Sequence, residues 1–76
     1  MTMEELANRF TYHAPREGQV ERYEEIRRMG LTLATVVYSS CPESRERSLA
    51  LTKIEEAVMW ANAAIARNEG ANEKSD

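Results

Sequence analysis

The side chains that could catalyse a reaction are few in this sequence, and their spacing does not bring them together. His13 is the single histidine and Cys41 the single cysteine, too small a set for a structural zinc site or an internal disulfide. Glu55 and Glu56 are adjacent, so on a helix their carboxylates point about 100° apart and cannot act on one bond. The sequence also lacks a glycine-rich phosphate loop. These observations argue against an enzyme, a metal site and a bound cofactor.

An aromatic segment is a better candidate for ligand binding. In Phe10-Thr11-Tyr12-His13-Ala14-Pro15 two aromatics alternate, and Pro15 favours an extended conformation of the residue before it. Tyr12 therefore offers a flat face on which a nucleobase could stack, although the ring could instead anchor the loop by packing. His13, a lone loop histidine, suits hydrogen bonding or packing better than general base catalysis.

Basic residues could supply contacts to an anion. The formal net charge of −3 argues against double-stranded nucleic acid as a partner, but it does not exclude a small anionic ligand. Arginine, which suits bidentate phosphate contacts, accounts for most of the basic residues. Arg27 and Arg28 lie in mid-helix, where one could face a groove between protomers, and Arg67 ends the last helix. Solvated surface charge is the alternative for all three.

The longest helical pattern runs from about residue 42 to residue 68. Pro42 is expected at its first helical position, with Ser40 or Cys41 as the N-cap. Alternating spacings of three and four define one apolar seam: Leu51, Ile54, Val58, Ala61 and Ile65. A second apolar set lies outside this seam: Leu49, Met59, Trp60 and Ala63. One partner helix cannot cover both faces, which favours a homo-oligomer over a broad core face in a small bundle.

A second helix is predicted from about residue 16 to residue 39, with its own seam: Tyr23, Ile26, Gly30, Leu33 and Val37. Gly30 either permits a close helix approach or leaves room for a ligand. The connection between the helices is short, so they should pair as an antiparallel hairpin. The expected fold is all-α: one domain over residues 1–68, comprising a short N-terminal helix and loop (1–15) and the long hairpin. Residues 69–76 are polar and predicted to be disordered.

Targeting signals are not evident in the sequence. No apolar run approaches the roughly 20 residues of a membrane span, and the N-terminus lacks a basic segment followed by an apolar one. The expected location is therefore the cytoplasm.

Two motifs stand out when they are taken together. The first is Phe10-Thr11-Tyr12-His13 before a long helix. The second is longer and more specific: Pro42-x-Ser44-Arg45-Glu46-x-Ser48-Leu49-Ala50, continuing into Lys53-x-Glu55-Glu56-Ala57-x-x-Trp60-x-Asn62-Ala63-Ala64-Ile65-Ala66-Arg67. Together they resemble a phage family of cyclic-nucleotide sponges, the anti-CBASS sponges, which counter a bacterial defence based on cyclic oligonucleotides. The resemblance covers about residues 9 to 68.

The resemblance implies a helical homohexamer that binds cyclic dinucleotides between protomers, and cyclic trinucleotides at a separate site, without cleaving them. Such a protein would act in the cytoplasm of the bacterial host. By position, Tyr12 matches the tyrosine that stacks on a base, and His13 adjoins it. Arg27, or next Arg28, matches the basic residue that contacts phosphate, where an arginine in place of a lysine would change the geometry. Arg67 matches an arginine connected with the trinucleotide site.

Two other functions stay open at this point. A small structural or interaction protein would form the same helical oligomer, with its aromatic loop serving only to lock protomers together. A cyclic-nucleotide hydrolase would need an activated water, and the sequence shows neither a metal-ligand set nor a positioned base.

Overall fold

The computed structural model describes the backbone of residues 1–74 and the side chains of residues 1–69, and all its regular structure is helical. Helix α1 spans Met3–Phe10, α2 spans Gln19–Ser40 and α3 spans Arg45–Lys74. α2 and α3 pack along each other. Contacts join Gln19 to Glu69 at one end and Tyr38 to Arg47 at the other, so the helices are antiparallel. The predicted all-α hairpin with a short N-terminal helix is confirmed.

Helix α1 begins with a capping box. The Thr2 hydroxyl accepts a hydrogen bond from the Glu5 backbone N–H at 3.0 Å, and the Glu5 carboxylate accepts one from the Thr2 N–H at 3.3 Å. Glu4 and Glu5 lie in the first turn and Arg9 in the last, so each charge has the sign that the helix dipole favours. This local stabilisation matters because none of the α1 residues is buried.

Both long helices begin later than the sequence predicts. α2 starts at Gln19 instead of residue 16, because Gly18 adopts a left-handed conformation with φ of 83° that ends the loop. α3 starts at Arg45, so the prediction that Pro42 is the first helical residue is wrong. The Ser44 hydroxyl accepts a hydrogen bond from the Arg47 N–H at 3.1 Å. Ser44 therefore caps this helix, instead of Ser40 or Cys41.

Helix α3 also ends later than predicted. The sequence pattern predicts a disordered tail from residue 69, but α3 continues to Lys74. Glu69 itself is half-buried and binds Arg22 of α2, an interaction between residues 47 positions apart that local composition does not reveal. Residues 75 and 76, the end of the predicted tail, lie outside the described residues.

The interior of the hairpin follows the predicted seams with one exchange. On α3 the five predicted seam residues are all half-buried. On α2 Ala34 faces the partner helix, whereas the predicted seam residue Leu33 is 52% exposed. Gly30 lies where the two helices pack closely, since a Cβ atom there would lie 2.5 Å from Val58 Cγ2. Gly30 thus permits close helix packing and does not leave space for a ligand.

The hairpin leaves most of its apolar surface uncovered. Among residues 1–69 no apolar side chain is fully buried. The accessible surface is 6178 Å², whereas a compact monomer of 8.7 kDa would expose about 4,700 Å². The radius of gyration is 15.7 Å, against about 11 Å for a compact domain of this length. Large exposed side chains include Met29, Leu31, Val36, Met59 and Trp60. The single chain is therefore an incompletely covered unit.

None of the helices in the described part of the chain combines the length and apolar character needed to cross a membrane.

Candidate ligand-binding groove

An open groove lies where α1, the following loop and the start of α2 meet, and it has a volume of about 780 Å³. We call it the Tyr12 groove. Its walls come from three parts of the chain: Glu4, Glu5, Ala7 and Asn8 of α1; Thr11 to Arg16 of the loop; and Gln19 and Ala66 of the long helices. Both carboxylate and arginine side chains line it, so the groove can contact donors and acceptors of a polar ligand.

Tyr12 projects from the loop with 82% of its surface exposed. The residues on either side of Tyr12 hold the loop instead. The Thr11 hydroxyl donates to the Ala7 carbonyl at 2.6 Å, and His13 Nε2 lies 3.0 Å from the Asn8 carbonyl. The His13 ring is half-buried, and with its proton on Nε2 it donates this hydrogen bond. Within one chain Tyr12 therefore does not anchor the loop, and its ring is open to a ligand or to another copy of the chain.

The loop is attached to α3 on the α1 side by Asn8. Its side-chain Nδ2 donates to the Arg67 carbonyl at 3.2 Å, while its own carbonyl meets His13. One asparagine thus connects the histidine of the groove with the last part of the long helix.

On the α2 side the loop is attached by Gln19, the one fully buried residue among positions 1–69, with 3% exposure. Its Oε1 accepts a hydrogen bond from the Arg16 N–H at 2.9 Å and one from the Tyr23 hydroxyl at 3.4 Å. Its Nε2 donates to Glu69 Oε1 at 3.0 Å, and its backbone N–H donates to the Arg16 carbonyl at 3.0 Å. Gln19 therefore joins the loop to both long helices.

An ion pair completes this end of the hairpin. The two terminal nitrogens of Arg22 donate to the two carboxylate oxygens of Glu69, at 2.6 and 2.5 Å. These hydrogen bonds, with the one from Gln19, lower the pKa of Glu69 to about 2, and they raise the pKa of Arg22. Glu69 is therefore ionised at neutral pH, and the pairing occupies the guanidinium of Arg22.

The predicted site residues do not all meet in one chain. Tyr12 and His13 line the groove. Arg27 and Arg28 are exposed on α2, about 12 Å or more along the helix from Gln19, and neither has an ion pair within the described side chains. The Arg67 guanidinium lies 6.0 Å from the centroid of the Trp60 ring, on α3. The roles predicted for these arginines stay predictions.

Several residues of the groove region were not singled out from the sequence. Asn8, Arg16, Gln19 and Glu69 act through contacts across 50 residues or more, or through backbone groups. The one available signal is the position of Gln19 directly after Gly18, where a polar side chain can bond back to the turn. Within the described residues no three His, Cys, Asp or Glu side chains are grouped closely enough to hold a metal ion.

A model of a known protein family, described as the Acb2/Tad1 hairpin domain, matches residues 3–66. The chain belongs to this family. It is the anti-CBASS sponge family that the motifs around Tyr12 and Trp60 indicated, and the match includes α1, the groove loop, α2 and most of α3. It ends just before Arg67 and Glu69, which hold the loop from the far side. No curated protein and no solved structure matches the chain.

Proposed function

We propose that this protein is a phage immune-evasion sponge that binds cyclic dinucleotides and keeps them from the effectors of the bacterial CBASS defence. The observation that carries the proposal is the family match over residues 3–66, a range that includes the loop with the exposed Tyr12. A sponge needs to bind its ligand more tightly than the effector does and to be present in sufficient amount, and it requires no chemistry.

The base of the ligand would stack on Tyr12. The ring is 82% exposed at the side of a groove of about 780 Å³, so a planar base can reach it. Stacking on an aromatic side chain contributes about 1–3 kcal/mol per base and tolerates different bases. His13 and the Arg16 backbone fix the loop that carries the ring. This arrangement supports recognition of a base with little dependence on its identity.

The phosphates would be contacted by Arg27 or Arg28 of a neighbouring protomer. Both side chains are exposed and lack ion pairs within the described residues, so their donors are available to a phosphate. A cyclic dinucleotide presents two bases and two phosphates. A two-fold interface would therefore offer it a matching pair of tyrosines and a matching pair of arginines.

The protein is proposed to assemble as a homohexamer. The apolar surface left open by the hairpin supports assembly, because Trp60 is 64% and Leu31 is 69% exposed in the single chain. Below about 80 residues, a single chain rarely forms a core sufficient for stability by itself. Arg67, stacked near Trp60, is assigned to a separate site for cyclic trinucleotides.

Binding is proposed to leave the ligand intact. An aromatic face and arginines stabilise a ground-state anion without favouring the transition state of phosphodiester hydrolysis. Released ligand should therefore still activate its effector.

The test is a calorimetric titration with cyclic di-AMP, cyclic di-GMP and a cyclic tri-adenylate, with linear pApA as the control ligand. We expect the cyclic compounds to bind and to raise the melting temperature, since a ligand bound only by the folded state stabilises it. After long incubation the protein is denatured by heat and the released nucleotide is analysed by chromatography.

Each result has a distinct meaning. Intact cyclic nucleotide supports the sponge, whereas linear products that accumulate with protein and time would identify a hydrolase. A stable oligomer that binds none of the compounds would favour the structural alternative, in which the Tyr12 loop only joins protomers.

A further inference from the structure

We propose that Gln19 and Glu69 are positioning residues that hold the Tyr12 loop in its binding conformation before the ligand arrives. We call the hydrogen bonds between Gln19, Glu69 and the Arg16 backbone the loop clamp. The inference rests on the proposed function of the groove, and it adds residues of α3 beyond the matched domain.

The first argument is that the buried side chain among the described residues, Gln19, is polar, whereas no apolar side chain there is buried. Gln19 is 3% exposed, and it is the one fully buried residue among positions 1–69. A buried amide without hydrogen-bond partners would destabilise the fold, so the surrounding residues must supply those partners. Here both its amide oxygen and its amide nitrogen are bonded. The most buried side chain at this end of the hairpin is thus a hydrogen-bonding group.

The second argument is what Gln19 holds. Its side-chain oxygen accepts from the Arg16 N–H, and its backbone N–H donates to the Arg16 carbonyl. Both backbone groups of Arg16 are therefore fixed by one residue. Arg16 belongs to the loop that carries Tyr12 and His13, two residues before Gly18, and all three side chains line the groove. Fixing this backbone reduces the conformations available to the loop in the unbound protein.

The third argument is the convergence of both loop attachments on one turn of α3. On one side Asn8 donates to the Arg67 carbonyl, at 3.2 Å. On the other side Gln19 donates to Glu69, whose carboxylate is held by both terminal nitrogens of Arg22. Because the two attachments lie within one helical turn, α3 acts as a common support for the two ends of the loop.

A loop that is ordered in advance loses less entropy when a ligand binds, so its affinity is higher. Gln19 and Glu69 would thereby raise affinity without touching the ligand. Tyr12, in contrast, contacts it. This difference makes the two roles separable by experiment.

The central experiment uses the full chain and measures affinity for cyclic di-AMP in the native protein and in three variants. Gln19→Glu places two carboxylates against each other, and we expect binding to weaken about tenfold. Gln19→Glu combined with Glu69→Gln restores a donor and an acceptor in reversed order, and affinity should return to near the native value. Asn68→Asp is the matched control, because it adds a negative charge one residue from Glu69 without entering the clamp.

A double-mutant cycle with Tyr12→Ala decides whether the clamp acts through the loop. If it does, Gln19→Glu has little further effect once the tyrosine is gone. Additive losses would overturn the proposal, because they would mean that Gln19 acts on the ligand by charge alone. Native affinity in Gln19→Glu would overturn it as well.

A measurement without ligand keeps the proposal testable if the proposed function fails. In Gln19→Leu, which removes the oxygen that accepts from the Arg16 N–H, the Arg16 amide should exchange with solvent about tenfold faster, while amides in the middle of α2 and α3 keep their native rates. Unchanged exchange at Arg16 would refute the clamp. Failure of the native chain to bind any cyclic nucleotide would refute the proposed function and leave this measurement valid.

Discussion

The middle of the hairpin and its open end, where α2 begins and α3 ends, are held together by different interactions. In the middle, Gly30 allows α2 to approach Val58 of α3, and the contact is aliphatic. At the open end, Gln19, Arg22 and Glu69 form a hydrogen-bonded network. Aliphatic contacts set how close the helices lie but are tolerant of sliding. Directional hydrogen bonds fix the register, and they lie beside the groove, where accurate placement matters most.

The two regions also differ in what they leave exposed. The middle presents Trp60, Met59 and Leu31 to solvent, each at least 60% exposed, and we propose that this surface contacts other copies of the chain. The open end presents Tyr12 beside a polar groove. In the proposed function, assembly and ligand recognition therefore use separate parts of a very small molecule.

The largest expected effect concerns the apolar middle. Trp60→Glu should convert the oligomer to monomers near 8.7 kDa or unfold it, because burying an unpaired carboxylate costs several kcal/mol. Light scattering measures the mass. Trp60→Phe and the exposed Thr32→Glu serve as controls and should keep the native mass. A native chain that is already a stable monomer would contradict the assignment of this surface to assembly.

Overpacking the close contact at Gly30 comes next. Gly30→Val should destabilise the hairpin by about 1–3 kcal/mol, since even a Cβ atom there meets Val58 Cγ2 at 2.5 Å. Denaturant unfolding at a fixed protein concentration gives the change in free energy. Val58→Ala in the same chain should recover part of the loss by making room. A more stable Gly30→Val variant would show that the helices separate there without cost.

At the open end, Tyr12→Ala should reduce the binding free energy of cyclic dinucleotides by about 1–3 kcal/mol for each base stacked. Tyr12→Phe should keep most of the affinity. Folding should survive both changes, because the side chain is 82% exposed. Calorimetry and thermal melting, measured on the same samples, separate the two effects. Native affinity in the alanine variant would assign Tyr12 to contacts between protomers.

The smallest effect is the response of the open end to acid. The pKa of Glu69 is lowered to about 2 from its usual 4.5, so the contribution of this carboxylate to stability is complete above pH 4.5. It is lost as the pH falls from 4.5 toward 2. The melting temperature of the native chain should therefore decrease more over this range than that of Glu69→Gln. Parallel pH profiles of the two proteins would argue against the ion pair with Arg22.

The sequence predicts the middle of the hairpin better than its open end, and the reason is physical. The five seam residues of α3 follow from periodicity alone, because burial against one neighbour imposes a helical repeat. Periodicity places Leu33 in the seam of α2, but its neighbour Ala34 is the half-buried residue. The small alanine side chain fits there because Gly30 lets the two helices come close. The start of α3 was misassigned because both Pro42 and Ser44 carry helix-start signals, and the serine hydroxyl forms the cap.

The candidate site is harder to predict from the sequence than the middle of the hairpin. Tyr12 and His13 are recognisable as an aromatic loop before a helix, and the family resemblance reaches them. The contacts of Gln19 and Asn8, however, join residues 50 and 59 positions apart. No local sequence pattern reveals such pairs. A glutamine or asparagine that bonds to a distant residue looks the same in the sequence as one that is solvated at the surface. The extension of α3 through Glu69 is hidden for the same reason.

For the proposed oligomer, the absence of a fully buried apolar side chain among residues 1–69 of one chain has a consequence for dosage. When copies of a chain supply one another's core, each tenfold dilution removes about 1.4 kcal/mol per association step from the folded state. Such a protein gains its structure and its binding sites together, above a threshold concentration. The number of binding sites would then rise more steeply than the rate of synthesis. Chains made late would therefore contribute more binding sites than chains made early.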